Sequence, residues 1–275
     1  MNEKLNKIYD AITENPTTDD LMNAIHLSRI AWNNPDEDNL RNVCNLNIIE
    51  HNEINTDEII KLKKVLLYCK DGDLLINNLF FKLLDGKVRK SELQTAVILL
   101  DSIYGTHLQN PMYTADRLNI RTDEIIEKIN NADPMAVDMI SCINKTSADD
   151  KSNNYCFSFA SKFCSFVDSF NYPIFDKYAS NLLFCLDNKA GGNPPVDTIT
   201  IKKYDDYREI YCDFKERYQI YASNKDIDIF LWLYGKIISK AQTEPDENKK
   251  TNYQFSFDSI SYKPKPEQLK ALIKN

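Results

Sequence analysis

A lysine, Lys162, stands fourteen residues before an aspartate, Asp176, in the stretch FSFASKFCSFVDSFNYPIFDKY that spans residues 157–178. An amine and a carboxylate are the groups needed for nucleophilic chemistry at a sugar carbon. The amine attacks, and the carboxylate steadies the positive charge that develops. Between the two lies an apolar stretch that reads as a helix ended by Tyr172-Pro173. Asp176 then sits where an N-cap would open a second amphipathic segment. Taken singly, each residue has an ordinary reading, as a solvated helix lysine and a helix cap. The elements that carry them therefore decide what the pair can do.

Those elements read as helices. Over residues 1–85, Thr18-Asp19-Asp20 caps a segment with Leu21, Ile25, Leu27 and Ile30, and Asn55-Thr56-Asp57-Glu58 opens another with Ile59, Leu62, Val65 and Leu66. Residues 91–103, SELQTAVILLDSI, form a strongly apolar helix followed by the polar loop YGTHLQNP. A short helix, MYTADRLNI, comes next, and then TDEIIEKINN, whose Asp123 and Glu124 complement the helix dipole. ADPMAVDMISCI continues as a helix with proline near its start. Residues 187–200, DNKAGGNPPVDTIT, make the clearest loop. Residues 204–222 and 226–240 read as long helices, and YQFSFDSISY alternates like a strand of a short hairpin. The expected fold is all-α and two-lobed. Its parts are an N-terminal helical region (1–88), a core (89–186), and C-terminal helices that pack back on the core (187–275).

Composition narrows the function classes. The chain has 275 residues, 43% of them hydrophobic, which is enough for a sizeable core. Only six are glycine, and neither GxxxxGK[ST] nor GxGxxG occurs, so Gly-rich phosphate loops are excluded. The seven cysteines include no CxxC pair, and His26 and His51 are isolated, so nothing calls for a metal or other cofactor. The scattered, odd-numbered cysteines suggest reduced thiols and a cytoplasmic protein. The start, MNEKLNKIYDAI, is too charged for a signal peptide. No run approaches the roughly 18 apolar residues that span a membrane. A net charge of −7 is the wrong sign for broad phosphate binding, which leaves room only for a local basic face. Lys202, Lys203, Arg208, Lys215 and Arg217 are interleaved with acids and read as a solvated, salt-bridged helix.

The order from residue 91 onward is an apolar helix, a polar loop, two short helices, a helix pair, and a Pro-hydrophobic-aromatic-Asp turn. This order resembles the core of the helix-hairpin-helix DNA glycosylases, especially the 8-oxoguanine glycosylase-like branch. That family's hairpin usually reads Gly-hydrophobic-Gly-x-Lys, and the matching stretch here is Ser158-Phe159-Ala160-Ser161-Lys162. The family's catalytic aspartate follows a hydrophobic-Pro-hydrophobic element, matched here by Tyr172-Pro173-Ile174-Phe175-Asp176. The resemblance covers roughly residues 90–186, about a third of the chain. It implies a DNA glycosylase, bifunctional if it also cleaves the strand as a lyase, that acts on duplex DNA with a damaged or modified base.

By that resemblance Lys162 is the nucleophile and Asp176 the cation-stabilising carboxylate. Ser158, Ala160 and Ser161 would lie against a DNA phosphate. His107, Gln109 and Asn110 would fill the gap left in the duplex or contact the opposite strand, and Trp232 and Tyr234 would stack on the flipped base. The family's hairpin glycines give way here to Ser158 and Ala160. A left-handed backbone at either would cost about 1–2 kcal/mol, so a weaker phosphate grip is expected. Two other readings stay open. One is a non-catalytic nucleic-acid or protein binding module on the same fold, with a role in phage–host conflict by analogy. The other is a helical interaction protein with no nucleic-acid role.

Overall fold

Helix starts in this chain are written into short side-chain signals. Thr17, with extended backbone, accepts a hydrogen bond from the Asp20 amide, and the Asp20 carboxylate accepts in return from the Thr17 amide at 2.9 Å. This reciprocal box starts the helix one residue before the expected cap at Thr18. Asp36, Asn110 and Asp176 do the same for later helices, each accepting from an amide two or three residues on. The computed structural model describes residues 3–46, 48, 56–84, 89–108, 110–143, 156–192, 201, 203–239, 241–244 and 252–255.

Among these residues there are twelve helices. They are α1 (Glu3–Ala11), α2 (Thr18–Asn33), α3 (Glu37–Cys44), α4 (Thr56–Leu84), α5 (Lys90–Tyr104), α6 (Pro111–Ile120), α7 (Thr122–Asn130), α8 (Met135–Ser141), α9 (Phe157–Val167), α10 (Lys177–Lys189), α11 (Tyr204–Arg217) and α12 (Asn224–Ser239). Strands β1 (Ala241–Glu244) and β2 (Asn252–Phe255) pair antiparallel, with Ala241 opposite Phe255. The fold is all-α with this one hairpin among the described residues. Residues 256–262 of the expected strand lie outside them.

The chain forms two compact units, and the boundaries differ from the three sequential segments expected. The first unit joins Met1–Leu67 to Pro173–Phe257, and the second holds Tyr68–Tyr172. The reason is tertiary. α10 and α12 pack on α1 and α2, far upstream in sequence, so the first unit is assembled from both ends of the chain.

In the first unit, α12 is the central helix. Ile227, Phe230, Leu231, Leu233, Tyr234 and Ile237 along it are all fully buried. At its crossing with α10, a β-carbon added to Gly235 would lie 2.3 Å from the Tyr178 carbonyl oxygen. Glycine there lets two backbones touch. In the second unit, α5 packs on α6 and α9, and α8 packs on α9. The core of this unit is aromatic. Phe80 meets Phe163 edge-on at 4.9 Å and Phe166 at 5.6 Å. Helix α9 ends at Val167, before the Tyr-Pro expected to stop it. Asp168 ends it, accepting hydrogen bonds from the Phe170 and Asn171 amides.

Burial sorts the thiols. Cys44, Cys69, Cys164 and Cys185 are buried, Cys142 and Cys156 are half-buried, and Cys212 is exposed. Burial pushes the Cys44 and Cys185 thiols up to about 12 and the Cys164 thiol well above its ordinary value. We expect a thiol-specific reagent near pH 8 to modify Cys212 first and to reach these three only on unfolding. Mass spectrometry of native and urea-unfolded samples checks this.

Candidate active site

Asp176 is the N-cap of α10. Its carboxylate accepts from the Tyr178 amide at 2.9 Å, which meets one of the unsatisfied donors of the first turn. The backbone just before it is held at each step by buried side chains of the first unit. The Pro173 carbonyl accepts from the Tyr204 hydroxyl at 2.5 Å. The Ile174 amide donates to both oxygens of Asp228 at 3.2 Å, and the Ile174 carbonyl accepts from the Tyr207 hydroxyl at 2.8 Å. The Phe175 ring packs edge-on against Tyr207 at 5.0 Å. These anchors come from α11 and α12, and they fix the direction in which the chain delivers the Asp176 carboxylate. Tyr172, in the second unit, is held in the same way. Its hydroxyl donates to the Asp133 carbonyl at 2.9 Å.

Tyr204, Tyr207 and Asp228 are absent from the sequence reading of the site. The available signal was the spacing of tyrosines 204, 207 and 211, which places them on one helix face. On α11 the charged residues do form ion pairs as expected, Arg208 with Asp205 at 3.4 Å and Arg217 with Asp213 at 3.8 Å. Arg217 also reaches the buried Asp187 at 3.1 Å.

Lys162 belongs to the second unit and is 2% exposed. Helix α9 places it one turn after Ser158, and its amine donates to the Ser158 hydroxyl at 2.8 Å. The amine also lies 5.9 Å from the centre of the Tyr104 ring. A solvated helix lysine, the ordinary reading of this residue, is thereby set aside. Burial of an ammonium is costly unless its donors are met, and here a hydroxyl and an aromatic face meet it.

The residues expected to grip phosphate sit differently from a glycine hairpin. Ser158, Ala160 and Ser161 lie within the first turns of α9, with ordinary right-handed backbone. Ala160 and Ser161 are fully buried, and the Ala160 amide is taken up by the Cys156 carbonyl at 2.8 Å. Neither presents a backbone donor to a ligand, because the helix ladder uses those amides. Cys156 in turn donates its amide to the Ser141 carbonyl, which ties the start of α9 to the end of α8.

In the loop after α5, His107 is exposed with φ of +58°, and Asn110 caps α6 by accepting from the Tyr113 amide at 3.0 Å. Gln109 lies outside the described residues. Trp232 is half-buried at the surface of the first unit. Tyr234, expected to stack on a base, is instead a core residue: it is fully buried and its hydroxyl donates to the Val43 carbonyl at 2.7 Å. A ring enclosed on both faces offers none for stacking.

The tyrosines of the first unit carry a pH signature. Burial, and secondarily the Asp228 charge, holds the Tyr207 and Tyr211 phenols well above their ordinary value. Burial, with a contribution from Asp187, pushes Tyr218 up to about 12. A group whose folded pKa is raised contributes stability that is fully present below its unfolded pKa and is lost as pH rises toward the folded value. The ordinary values are 9.0 for the thiols of Cys44 and Cys185 and 10.0 for Tyr218, and burial pushes all three up to about 12. We therefore expect stability to hold up to about pH 8 and to fall between about pH 9 and 12, with a slope approaching 1.4 kcal/mol per pH unit for each titrating group. Urea unfolding across that range, alongside phenolate absorbance, measures it.

Comparison with known proteins points to the second unit. Residues 57–171 match a family model described as HI_0787_N, an N-terminal domain. This stretch takes in nearly all of Tyr68–Tyr172 and includes Lys162, whereas Asp176 lies beyond it. The chain is 33% identical over 84 residues to an uncharacterized protein of Haemophilus influenzae, a match covering 30% of this chain. The match spans 39% of that protein's length. No solved structure matches.

Proposed function

We propose that this chain is a divergent DNA glycosylase acting on a damaged or modified base, with Lys162 as nucleophile and Asp176 as the carboxylate that steadies the sugar cation. The observation that carries this reading is the burial of Lys162. Placing a lysine at 2% exposure on a helix of aromatic and small side chains has a large desolvation cost, and a reactive amine shielded from water is one use that justifies it. The clamped backbone leading to Asp176 also supports it, since a carboxylate that stabilises developing charge must be held before the charge appears.

In the proposed reaction the Lys162 ammonium first gives up a proton, and the amine then attacks C1′ of the nucleoside. The glycosidic C–N bond breaks, and its electron pair leaves with the base, which takes up a proton. The nitrogen then loses a proton and the sugar ring opens, leaving an imine between Lys162 and C1′. Loss of a proton from C2′ with departure of the 3′ phosphate would complete the lyase step. The stretch that carries these residues resembles the glycosylase core in its order of parts, and Ser158 supplies a hydroxyl within reach of the amine.

Borohydride trapping on duplexes with varied modified bases and abasic sites tests the proposal. Wild-type protein should give a covalent adduct, and Lys162→Gln should give none; an adduct that survives in that variant sinks the nucleophile role. Asp176→Asn keeps a good N-cap while removing the charge, so its stability should stay within about 0.5 kcal/mol of wild type. Its adduct formation should slow by about 10²-fold or more.

The contacts of the Lys162 amine with Ser158 and Tyr104 favour one other reading, a non-catalytic module in which the lysine is structural. Duplex binding without an adduct on any substrate would establish it.

A further inference from the structure

On the first unit, two lysines and three aromatic rings form an unbroken stripe. Lys225 lies over the Trp32 ring at 5.5 Å, and Trp32 meets Trp232 edge-on at 6.2 Å. Lys236 lies over Trp232 at 4.5 Å and within 5.8 Å of the Tyr178 ring. The stripe runs from α2 across α12 to the start of α10, where the Tyr178 amide donates to Asp176.

Two features set it apart from the rest of the unit. First, all five side chains are half-buried, whereas Tyr204, Tyr207, Tyr211, Phe230 and Tyr234 are in the core. Second, it gathers Lys225 and Lys236 over its rings in a chain of net charge −7. Exposed Arg29 adds a third cation, which pairs with Asp226 at 3.9 Å.

We propose that this stripe is a docking surface for a single, unpaired strand of nucleic acid, with bases stacked on Trp32 and Trp232 and phosphates on Lys225, Lys236 and Arg29. Alternating ring faces and cations suit such a strand, because every base has a face to stack and every linkage carries a charge. A lysine resting on an indole can swing aside to pair with a phosphate, which opens the ring face to a base. The stripe ends beside Asp176. It thus extends the glycosylase reading to how an opened strand is held, and it rests on that reading only for the choice of nucleic acid as partner.

Fluorescence anisotropy of the 275-residue chain with a labelled single-stranded oligodeoxynucleotide tests this. Trp232→Leu should weaken binding about tenfold, and Trp232→Tyr should recover most of it. The double variant Lys225→Gln, Lys236→Gln should lower the salt slope by about one to one and a half, at unchanged melting temperature. A strand of abasic residues of equal charge should bind more weakly than the normal strand.

Failure of the wild type to bind overturns the proposal. So does variant binding equal to wild type, abasic binding equal to normal, or equal competition by polyglutamate, which would mark the partner as an acidic protein. Borohydride trapping run alongside separates the two ideas. An adduct formed by stripe variants that bind normally leaves the glycosylase reading standing without the stripe. Stripe-dependent binding with no adduct does the reverse.

Discussion

Gly235→Ala should destabilise the first unit by at least about 2 kcal/mol, although alanine is the better helix former. Exchanging glycine for alanine within a helix normally gains about 1 kcal/mol. Here the new β-carbon would sit 2.3 Å from the Tyr178 carbonyl oxygen and 3.3 Å from the Ala179 nitrogen. Overpacking typically costs about 1–3 kcal/mol, and the cost rises when the obstacle is backbone that cannot rotate aside. The only relief is to push α10 away from α12, which opens the apolar crossing at the centre of the unit. That movement starts at Tyr178, whose amide Asp176 caps. The measurement is a urea melt in which the midpoint falls and the slope does not change.

Asp228→Ala should cost about 2–3 kcal/mol and disturb the delivery of Asp176. The Ile174 amide would lose its acceptor inside the protein, and a buried donor left without one costs about 1–3 kcal/mol. Asp228→Asn retains one carbonyl oxygen and should cost clearly less. The pair of variants also separates charge from hydrogen bonding. Both remove the negative charge near Tyr207 and Tyr211, so both should let those phenols ionise at lower pH than in wild type, although burial, the larger cause, keeps them raised. Under the proposed chemistry, Asp228→Ala should slow borohydride adduct formation about tenfold or more. Asp228→Asn should retain most of the rate. Equal rates for Asp228→Ala and wild type would show that the clamp has no part in positioning the carboxylate.

The helices were legible because their signals are local. Asn110 and Asp176 mark helix starts by accepting from amides two or three residues on, Pro111 opens the first turn of α6, and the apolar period of residues 91–103 is α5 itself. Errors at the ends had local causes too. Asp168 stops α9 earlier than Pro173 would, and Thr17 precedes the expected cap. The site was legible only in part. The cap role of Asp176 was legible because a cap has a sequence signature. The full burial of Lys162 was not legible, since in a single sequence a lysine on an aromatic helix reads the same whether it points outward or inward. Tyr234 was misread for the converse reason, as a ring suited to stacking is equally suited to a core.

By itself, then, the sequence determined an all-α chain, its helix starts, and the cap that makes Asp176 a fixed carboxylate, because each depends on neighbours within a turn or two. The tertiary structure alone decided which polar groups are enclosed and by what. Ile174 meets Asp228 across 54 residues and Tyr234 meets Val43 across 191. It also decided that Met1–Leu67 and Pro173–Phe257 form one unit. A buried polar group must find its partner wherever the packing brings one. That requirement links residues far apart in the chain and leaves no periodic trace along it.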